Sequence, residues 1–154
     1  MTDQARSVAS LRAQQNFALA VPAGIIAAII GAGLWTTVTV LSGMKLGLIA
    51  IAVGFVVGQA IRWAGRGLDP QFGILGALCA LFGCALGNVM TAISFFAKAK
   101  GVSLLAAISL LDLDHLIRLV TRTASPMDVL FYGIAIYEGY KFSFAYRRMP
   151  AVRQ

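Results

Sequence analysis

The sequence predicts an all-α membrane protein: a bundle of four transmembrane helices with one interfacial amphipathic helix between the third and the fourth. Of the 154 residues, 59% are hydrophobic and only 12% are charged, whereas about a quarter of the residues of a soluble domain carry a charge. The charges are also confined to a few gaps. Two windows, 14–44 and 70–97, contain no charged residue, and each exceeds the roughly 18 apolar residues that make a candidate membrane span.

The first two predicted spans follow a polar segment, residues 1–16, whose sequence indicates no particular partner. Pro22 lies in the first turns of the first span, where a missing backbone donor is tolerated best. Lys45 and Arg62 bracket the second span, and their long side chains can extend to the two membrane surfaces. We expect these two spans at residues 17–41 and 46–63.

Turn, capping and charged residues mark the boundaries of the third and fourth predicted spans, of which the fourth is the weaker by hydropathy because of Glu138 and Lys141. A turn rich in glycine and proline, residues 65–70, precedes the third span, and Lys98 and Lys100 follow it. The sequence Ser125-Pro126-Met127-Asp128 is typical of a helix start, with a capping serine, proline at the first position and an acid three residues after the cap. We expect these two spans at residues 72–97 and 129–146, followed by a basic tail at 147–154.

Residues 103–120 are long enough for a fifth span but are expected to lie in the membrane interface. Four ionisable residues fall between positions 112 and 118, and each would be expensive at the centre of a bilayer. The helical repeat separates charged and apolar side chains onto opposite faces, as in an interfacial helix. The charged face holds Asp112, His115, Arg118 and, beyond the segment, Arg122; the apolar face holds Leu113, Leu116, Ile117 and Val120.

Glycines recur at four-residue spacing in the second and third spans. Gly54 and Gly58 mark one helix, and Gly83 and Gly87 mark the other, with Gly76 on the same small-residue stripe. In lipid no hydrophobic force holds helices together, so close backbone approach at such stripes supplies the dispersion contacts. We therefore expect these glycine faces to be packed, either on each other or on another chain.

The distribution of lysine and arginine predicts the orientation in the membrane. With four spans, both termini and the central turn share one side, which carries eight of these residues against five on the other. The positive-inside rule therefore places both termini in the cytoplasm. The first side holds Arg6, Arg12, Arg62, Arg66, Lys141, Arg147, Arg148 and Arg153; the second holds Lys45, Lys98, Lys100, Arg118 and Arg122.

Three polar residues are predicted within the membrane: Asn88, Glu138 and Lys141. We expect Asn88 to form a hydrogen bond across a helix interface. Glu138 lies near the middle of the fourth span, where an ionisable residue is a candidate functional site by default, here for a proton or a cation. Lys141 follows one turn later, so the alternative is that it neutralises Glu138 and both side chains reach the cytoplasmic interface.

The sequence holds no constellation typical of an enzyme, and we expect no catalytic site and no cofactor. Cys79 and Cys84 point about 140° apart around a straight helix, so they cannot bond to each other. Asp112 and His115 have a spacing that could share a metal ion, but no second histidine or cysteine cluster joins them, so we expect no metal site. The net charge is +7, and the lysines and arginines that give rise to it flank apolar segments. This placement indicates contact with lipid headgroups rather than with nucleic acid.

Two runs of sequence are similar to a known group. SGMKLGLIAIAVGFVVGQAIRWAGRG, residues 42–67, with the glycine-punctuated span after it, resembles a group of predicted bacterial multi-span membrane proteins. SPMDVLFYGIAIYEGYK, residues 125–141, is similar to the last helix of the same group, and the resemblance covers about half of the chain. It implies a location in the bacterial inner membrane and assigns no functional residue.

These observations predict a non-enzymatic function. We expect a small structural or accessory subunit that packs, through its glycine faces, against other membrane proteins or against copies of itself. The alternative is a homo-oligomeric channel or small transporter in which Glu138 and Asn88 line a polar path. The expected partners are the lipid bilayer and other membrane subunits, and nucleic acid is not among them.

Overall fold

The computed structural model describes residues 9–44, 47–123 and 125–144, and within these ranges the chain is helical and contains no strand. A short helical segment at residues 9–13 precedes the numbered helices. The helices are α1 (Phe17–Ser42), α2 (Leu48–Gly65), α3 (Pro70–Lys100), α4 (Leu104–Leu110), α5 (Leu113–Thr123) and α6 (Pro126–Phe142).

Three of the described helices, α1, α2 and α3, are long and apolar enough to cross a membrane. They contain 26, 18 and 31 residues, and the mean hydropathy of their most apolar windows is 2.3, 1.7 and 1.9. The fourth predicted span corresponds to α6, which has 17 residues and carries Asp128, Glu138 and Lys141. The length and composition of α6 therefore do not by themselves show that it crosses a membrane.

The four long helices run alternately up and down. The backbone N–H of Asn16 donates to the Gly65 carbonyl across 2.9 Å, and Phe17 packs edge-on against Phe72. Tyr140 of α6 lies against Gly73, so the beginnings of α1 and α3 and the ends of α2 and α6 share one end of the bundle. We call it the Asn16 end, and the opposite end, with Gly43, Gly47, Lys100 and Ser125, the Gly43 end.

The polar segment before α1 is tied to the turn between α2 and α3. The Gln15 amide nitrogen donates to an Asp69 carboxylate oxygen at 2.8 Å, and the Gln15 amide oxygen accepts from the backbone N–H of Leu68 at 2.8 Å. Arg12 lies 3.4 Å from the other Asp69 oxygen. These bonds fix the entry into α1 against the turn that separates α2 from α3, a role that the sequence did not indicate for residues 1–16.

The predicted amphipathic helix at 103–120 is two helices rather than one. Ser103 caps α4, its hydroxyl accepting from the Ala106 N–H at 3.3 Å, and the chain is extended at Leu111. The Asp112 carbonyl then accepts the first bond of α5, from the Leu116 N–H at 2.9 Å. Aspartate is poorly suited to a helix interior and well suited to the residue just before a helix, which explains why the break falls at this position.

The glycine faces pack within the chain, on helices that the sequence did not identify. Gly83 and Gly87 lie against α1: a Cβ built at Gly83 would be 3.1 Å from the Ala28 carbonyl oxygen, and one at Gly87 would be 3.1 Å from the Trp35 ring. Gly54 and Gly58 lie against α6 instead. The sequence had suggested either each other or another chain as the partner, so the structure corrects that expectation.

The contact between α3 and α6 brings two backbones together. A Cβ built at Gly139 would lie 2.8 Å from the Ala80 Cβ and would also meet the Gly76 carbonyl. On the other side of α6, a Cβ at Gly54 would lie 3.0 Å from the Ala135 Cα. Because carbonyl groups and Cα atoms cannot rotate away, α6 can lie this close to α2 and α3 only where side chains are minimal.

Replacement of Gly54 by alanine is expected to destabilise the bundle by about 1–3 kcal/mol, the usual result of overpacking. The added methyl group would overlap the Ala135 backbone, so α2 and α6 would have to separate. The matched control is Gly33→Ala in α1, where a Cβ meets nothing within 4 Å and where alanine favours the helix by up to about 1 kcal/mol. The free energy of unfolding in detergent micelles, followed by circular dichroism, measures both; equal stabilities would contradict the packing.

Candidate functional site

Asn88 of α3 lies at the junction of three helices and is buried. Its side-chain nitrogen donates to the Tyr132 hydroxyl of α6 across 2.8 Å, and that hydroxyl donates to the Cys84 carbonyl across 3.4 Å. The Tyr132 ring packs edge-on against Trp35 of α1, with 6.4 Å between the ring centres. The hydrogen bond of Asn88 therefore joins α3 to α6 at the point where α1 also meets them.

Further polar side chains surround this junction. Thr36 donates to the Ala32 carbonyl of its own helix at 2.9 Å and also approaches the Gly87 carbonyl of α3 at 3.3 Å. Four other buried polar atoms form no hydrogen bond with the part of the chain that the structure describes. They are Trp35 Nε1, Thr39 Oγ1, Asn88 Oδ1 and Thr91 Oγ1. Most of the buried polar side chains in the half of the bundle toward the Gly43 end therefore lie between α1 and α3.

Glu138 lies level with the middle of the apolar helix α2. A Cβ built at Gly58 would be 3.3 Å from the Glu138 carbonyl oxygen, whereas Gly54 lies against Ala135, one turn earlier in α6. Glu138 is therefore level with the stretch between Gly54 and Gly58, and α2 runs from Leu48 to Gly65. The side chain is partly exposed, so it lies at the flank of the α2–α6 contact rather than in the core.

Lys141 does not neutralise Glu138 in the structure. The Lys141 ammonium lies 5.4 Å from the centre of the Tyr137 ring and 5.5 Å from that of Phe142. No ion pair joins Lys141 to Glu138. A cation over an aromatic face is attracted by the electrons of the ring. The Lys141 ammonium, which the sequence predicted as a possible partner of Glu138, is therefore held by the rings of Tyr137 and Phe142.

Within one chain, Asn88 and Glu138 lie at different levels of the bundle. Tyr132, which binds Asn88, lies six residues before Glu138 in α6, so the two positions are about 9 Å apart along the helix and about 120° apart around it. Buried side chains lie between the levels of the two residues: Ala135 against Gly54, Ala80 against Gly139 and Val53 against Gly83. A path that included both polar residues would need a surface outside this packed core.

The charged face of the amphipathic segment lines a groove against the end of α3. The groove has a volume of about 260 Å³ and is bounded by Phe96, Leu111, His115, Arg118, Leu119 and Arg122. Asp112, the remaining member of the predicted face, lies outside the lining, with a carboxylate oxygen 3.8 Å from His115 Nδ1. On the other side of α5, Leu113 and Ile117 are 73% and 52% exposed, so this part of the apolar face is open to its surroundings.

Metal-ligating and nucleophilic side chains are scattered. Within the described residues, no group of three or more His, Cys, Asp or Glu side chains is placed to hold a metal ion. Cys79 and Cys84 are both buried and unbonded; a Cβ at Gly24 of α1 would lie 2.9 Å from Cys79 Sγ, so that thiol fills space between α1 and α3.

Comparison of the chain with protein-family models, with curated proteins and with solved structures finds no match.

Removal of the Asn88–Tyr132 hydrogen bond is expected to destabilise the protein by about 0.5–2 kcal/mol, the range found for bonds between membrane helices. The substitution Tyr132→Phe removes the hydroxyl that Asn88 binds and keeps the ring against Trp35. Tyr137→Phe, at a tyrosine that is 58% exposed, is the control. A double-mutant cycle with Asn88→Ala, measured by unfolding in detergent, should give a coupling energy above zero; additive effects would show that the two side chains act independently.

Proposed function

We propose that the chain is a multi-pass membrane protein that acts as a structural or accessory subunit of a membrane assembly, with α6 as its fourth span. The supporting observation is Glu138, an ionisable residue level with the middle of α2, partly exposed at the flank of the bundle and without an ion-pair partner in Lys141. A carboxylate in that place needs a partner in lipid, and the described residues do not supply an ion pair for it.

Membrane crossing by α6 is supported by its packing. The helix runs antiparallel to α3 and lies along both α2 and α3, two of the three helices with the length and hydropathy of membrane spans. Its 17 residues extend about 25 Å, a few ångströms less than the roughly 30 Å hydrocarbon core. Local thinning of the bilayer and extension of flanking side chains such as Lys141 accommodate a difference of that size.

The partner at Glu138 follows from the cost of the alternatives. An ionised carboxylate facing acyl chains is unfavourable by several kcal/mol, whereas a donor from a neighbouring helix satisfies it with a charge-assisted hydrogen bond. A second copy of the chain and a different membrane protein can both supply such a donor. Phe55 of α2 packs edge-on against Phe142, one turn after Glu138, and its ring is 43% exposed, so an aromatic surface adjoins the carboxylate.

The orientation of the chain and the kind of membrane are inferred from the charge distribution and from the resemblance to bacterial multi-span proteins. With α6 as the fourth span, eight of the lysines and arginines fall by sequence position on the side of the Asn16 end and five on the other, and this excess supports a cytoplasmic Asn16 end under the positive-inside rule. The resemblance to bacterial multi-span proteins supports an inner-membrane location.

A homo-oligomeric channel or small transporter is the second candidate. The observation that favours it is the set of unpartnered buried polar atoms around Asn88, which a polar permeant could satisfy. The packed layer between Asn88 and Glu138 requires the path to use a surface shared by several copies. The test is cation flux into proteoliposomes that contain either the original chain or the variant Glu138→Gln. Loss of flux in a variant that still assembles would favour this candidate. Flux unchanged by the substitution would show that Glu138 does not line the path.

A photo-crosslinking residue at Tyr137 or Phe55 is expected to trap a protein partner, because both positions flank Glu138. The matched control is Phe82 of α3, another aromatic residue that is 48% exposed and distant from α6, and it should trap mainly lipid. Products from membranes are separated by mass: multiples of 16.3 kDa indicate a second copy, and another mass indicates a different subunit.

The substitution Glu138→Gln should reduce this protein adduct by about tenfold, because a charge-assisted hydrogen bond would become a neutral one. Lys141→Gln should leave it unchanged, since Lys141 contacts the rings of its own helix. Equal protein adducts from Tyr137 and Phe82, or lipid adducts alone from Tyr137 and Phe55, would contradict a subunit interface at Glu138.

A further inference from the structure

The groove between α3 and α5 combines cationic groups with apolar walls. His115, Arg118 and Arg122 project from one face of α5, and Phe96, Leu111 and Leu119 form the apolar part of the lining. Arg118 and Arg122 are four residues apart on one helix, so their side chains are neighbours, roughly 6 Å apart at the Cβ atoms. Two guanidinium groups at that separation can hold one phosphate through several charge-assisted hydrogen bonds.

The charges around the groove leave both guanidinium groups available. Neither Arg118 nor Arg122 forms an ion pair with a carboxylate among the described residues, although Asp114 is four residues before Arg118. Asp112 lies beside His115 instead, at 3.8 Å. The groove therefore presents two unneutralised cations, which favours an anionic ligand of the size of a phosphate group.

The position of the groove favours a lipid over a soluble anion. Phe96 belongs to the last turns of α3, one of the helices with the length and hydropathy of a membrane span, and Lys98 and Lys100 follow it at the helix end. The apolar side chains Leu113 and Ile117 of α5 are exposed, as expected for a helix lying in the interface between headgroups and acyl chains. The cationic groups thus lie at headgroup level and the apolar walls at acyl-chain level.

We propose that this groove is a binding site for an anionic phospholipid. The lipid phosphate lies between Arg118 and Arg122, with His115 at the edge of the site, and the upper part of an acyl chain lies along Phe96, Leu111 and Leu119. A zwitterionic lipid carries a compensating cation next to its phosphate, so two arginines attract it less strongly. The site lies at the Gly43 end, apart from Glu138, and does not depend on the subunit interface proposed there.

The test is native mass spectrometry of the full chain in detergent micelles, titrated with phosphatidylglycerol or with phosphatidylcholine. We expect one phosphatidylglycerol to be retained about 30-fold more tightly than phosphatidylcholine, as two basic residues at a membrane surface would give. Arg118→Gln with Arg122→Gln should remove that preference. Lys98→Gln with Lys100→Gln is the matched control, because it removes the same charge at the same end of α3 from residues outside the groove lining, and it should retain the preference.

Two further arms decide between a lipid and a soluble phosphate. Glycerol 3-phosphate offers the phosphate without acyl chains and should bind at least tenfold more weakly than phosphatidylglycerol, an order-of-magnitude expectation from burial of only a few methylene groups. Phe96→Ala should weaken phosphatidylglycerol and leave glycerol 3-phosphate unchanged. Equal retention of the two lipids, equal binding of glycerol 3-phosphate, or equal loss of preference in the lysine control would each overturn the proposal. Helix content by circular dichroism is measured on every variant.

Discussion

The close approach of α6 to the α2–α3 pair is the contact on which the rest of the structure depends. Gly76 meets Gly139 on one side of α6, and Gly54 meets Ala135 on the other. These contacts bring the Tyr132 hydroxyl to Asn88 and set Glu138 level with the middle of α2. In lipid the hydrophobic effect does not hold helices together, and dispersion between closely packed backbones supplies the attraction instead.

The same packing divides the polar groups of the chain into three environments. Asn88 and Thr36 lie inside the bundle, where Tyr132 and backbone carbonyl groups bond to them, whereas the hydroxyls of Thr39 and Thr91 form no hydrogen bond with the described residues. Glu138 lies at the flank of the α2–α6 contact, where the described residues supply no ion pair for it. Arg118 and Arg122 lie at the Gly43 end, where they line a groove together with apolar side chains. The buried amide, the partly exposed carboxylate and the two exposed guanidinium groups therefore lie in different surroundings. Composition alone does not distinguish these surroundings.

Sequence alone specified the helices better than the contacts between them. The apolar runs predicted α1, α2 and α3, because length and hydropathy are local properties, and Ser125 with Asp128 marks the start of α6 through a local capping box. The glycine spacing indicated that Gly54 and Gly83 lie in flat helix faces, but such a face accepts any small-residue surface, so its partner could not be read from the pattern. The hydrogen bond of Asn88 joins residues 44 apart in the chain, and only the tertiary fold selects Tyr132. The break at Asp112 was missed because helical periodicity continues across it.

The crossing of the membrane by α6 is tested most directly by the side from which introduced cysteines react. In a chain with Cys79 and Cys84 replaced by alanine, single cysteines at Arg66, Lys141 and Ser109 would be labelled with a membrane-impermeant maleimide from each side of a sealed vesicle. Four spans place Arg66 and Lys141 at one end of the bundle and Ser109 beyond the other, so Arg66 and Lys141 should react from the same side and Ser109 from the opposite one. Reaction of Lys141 from the same side as Ser109 would contradict the bundle.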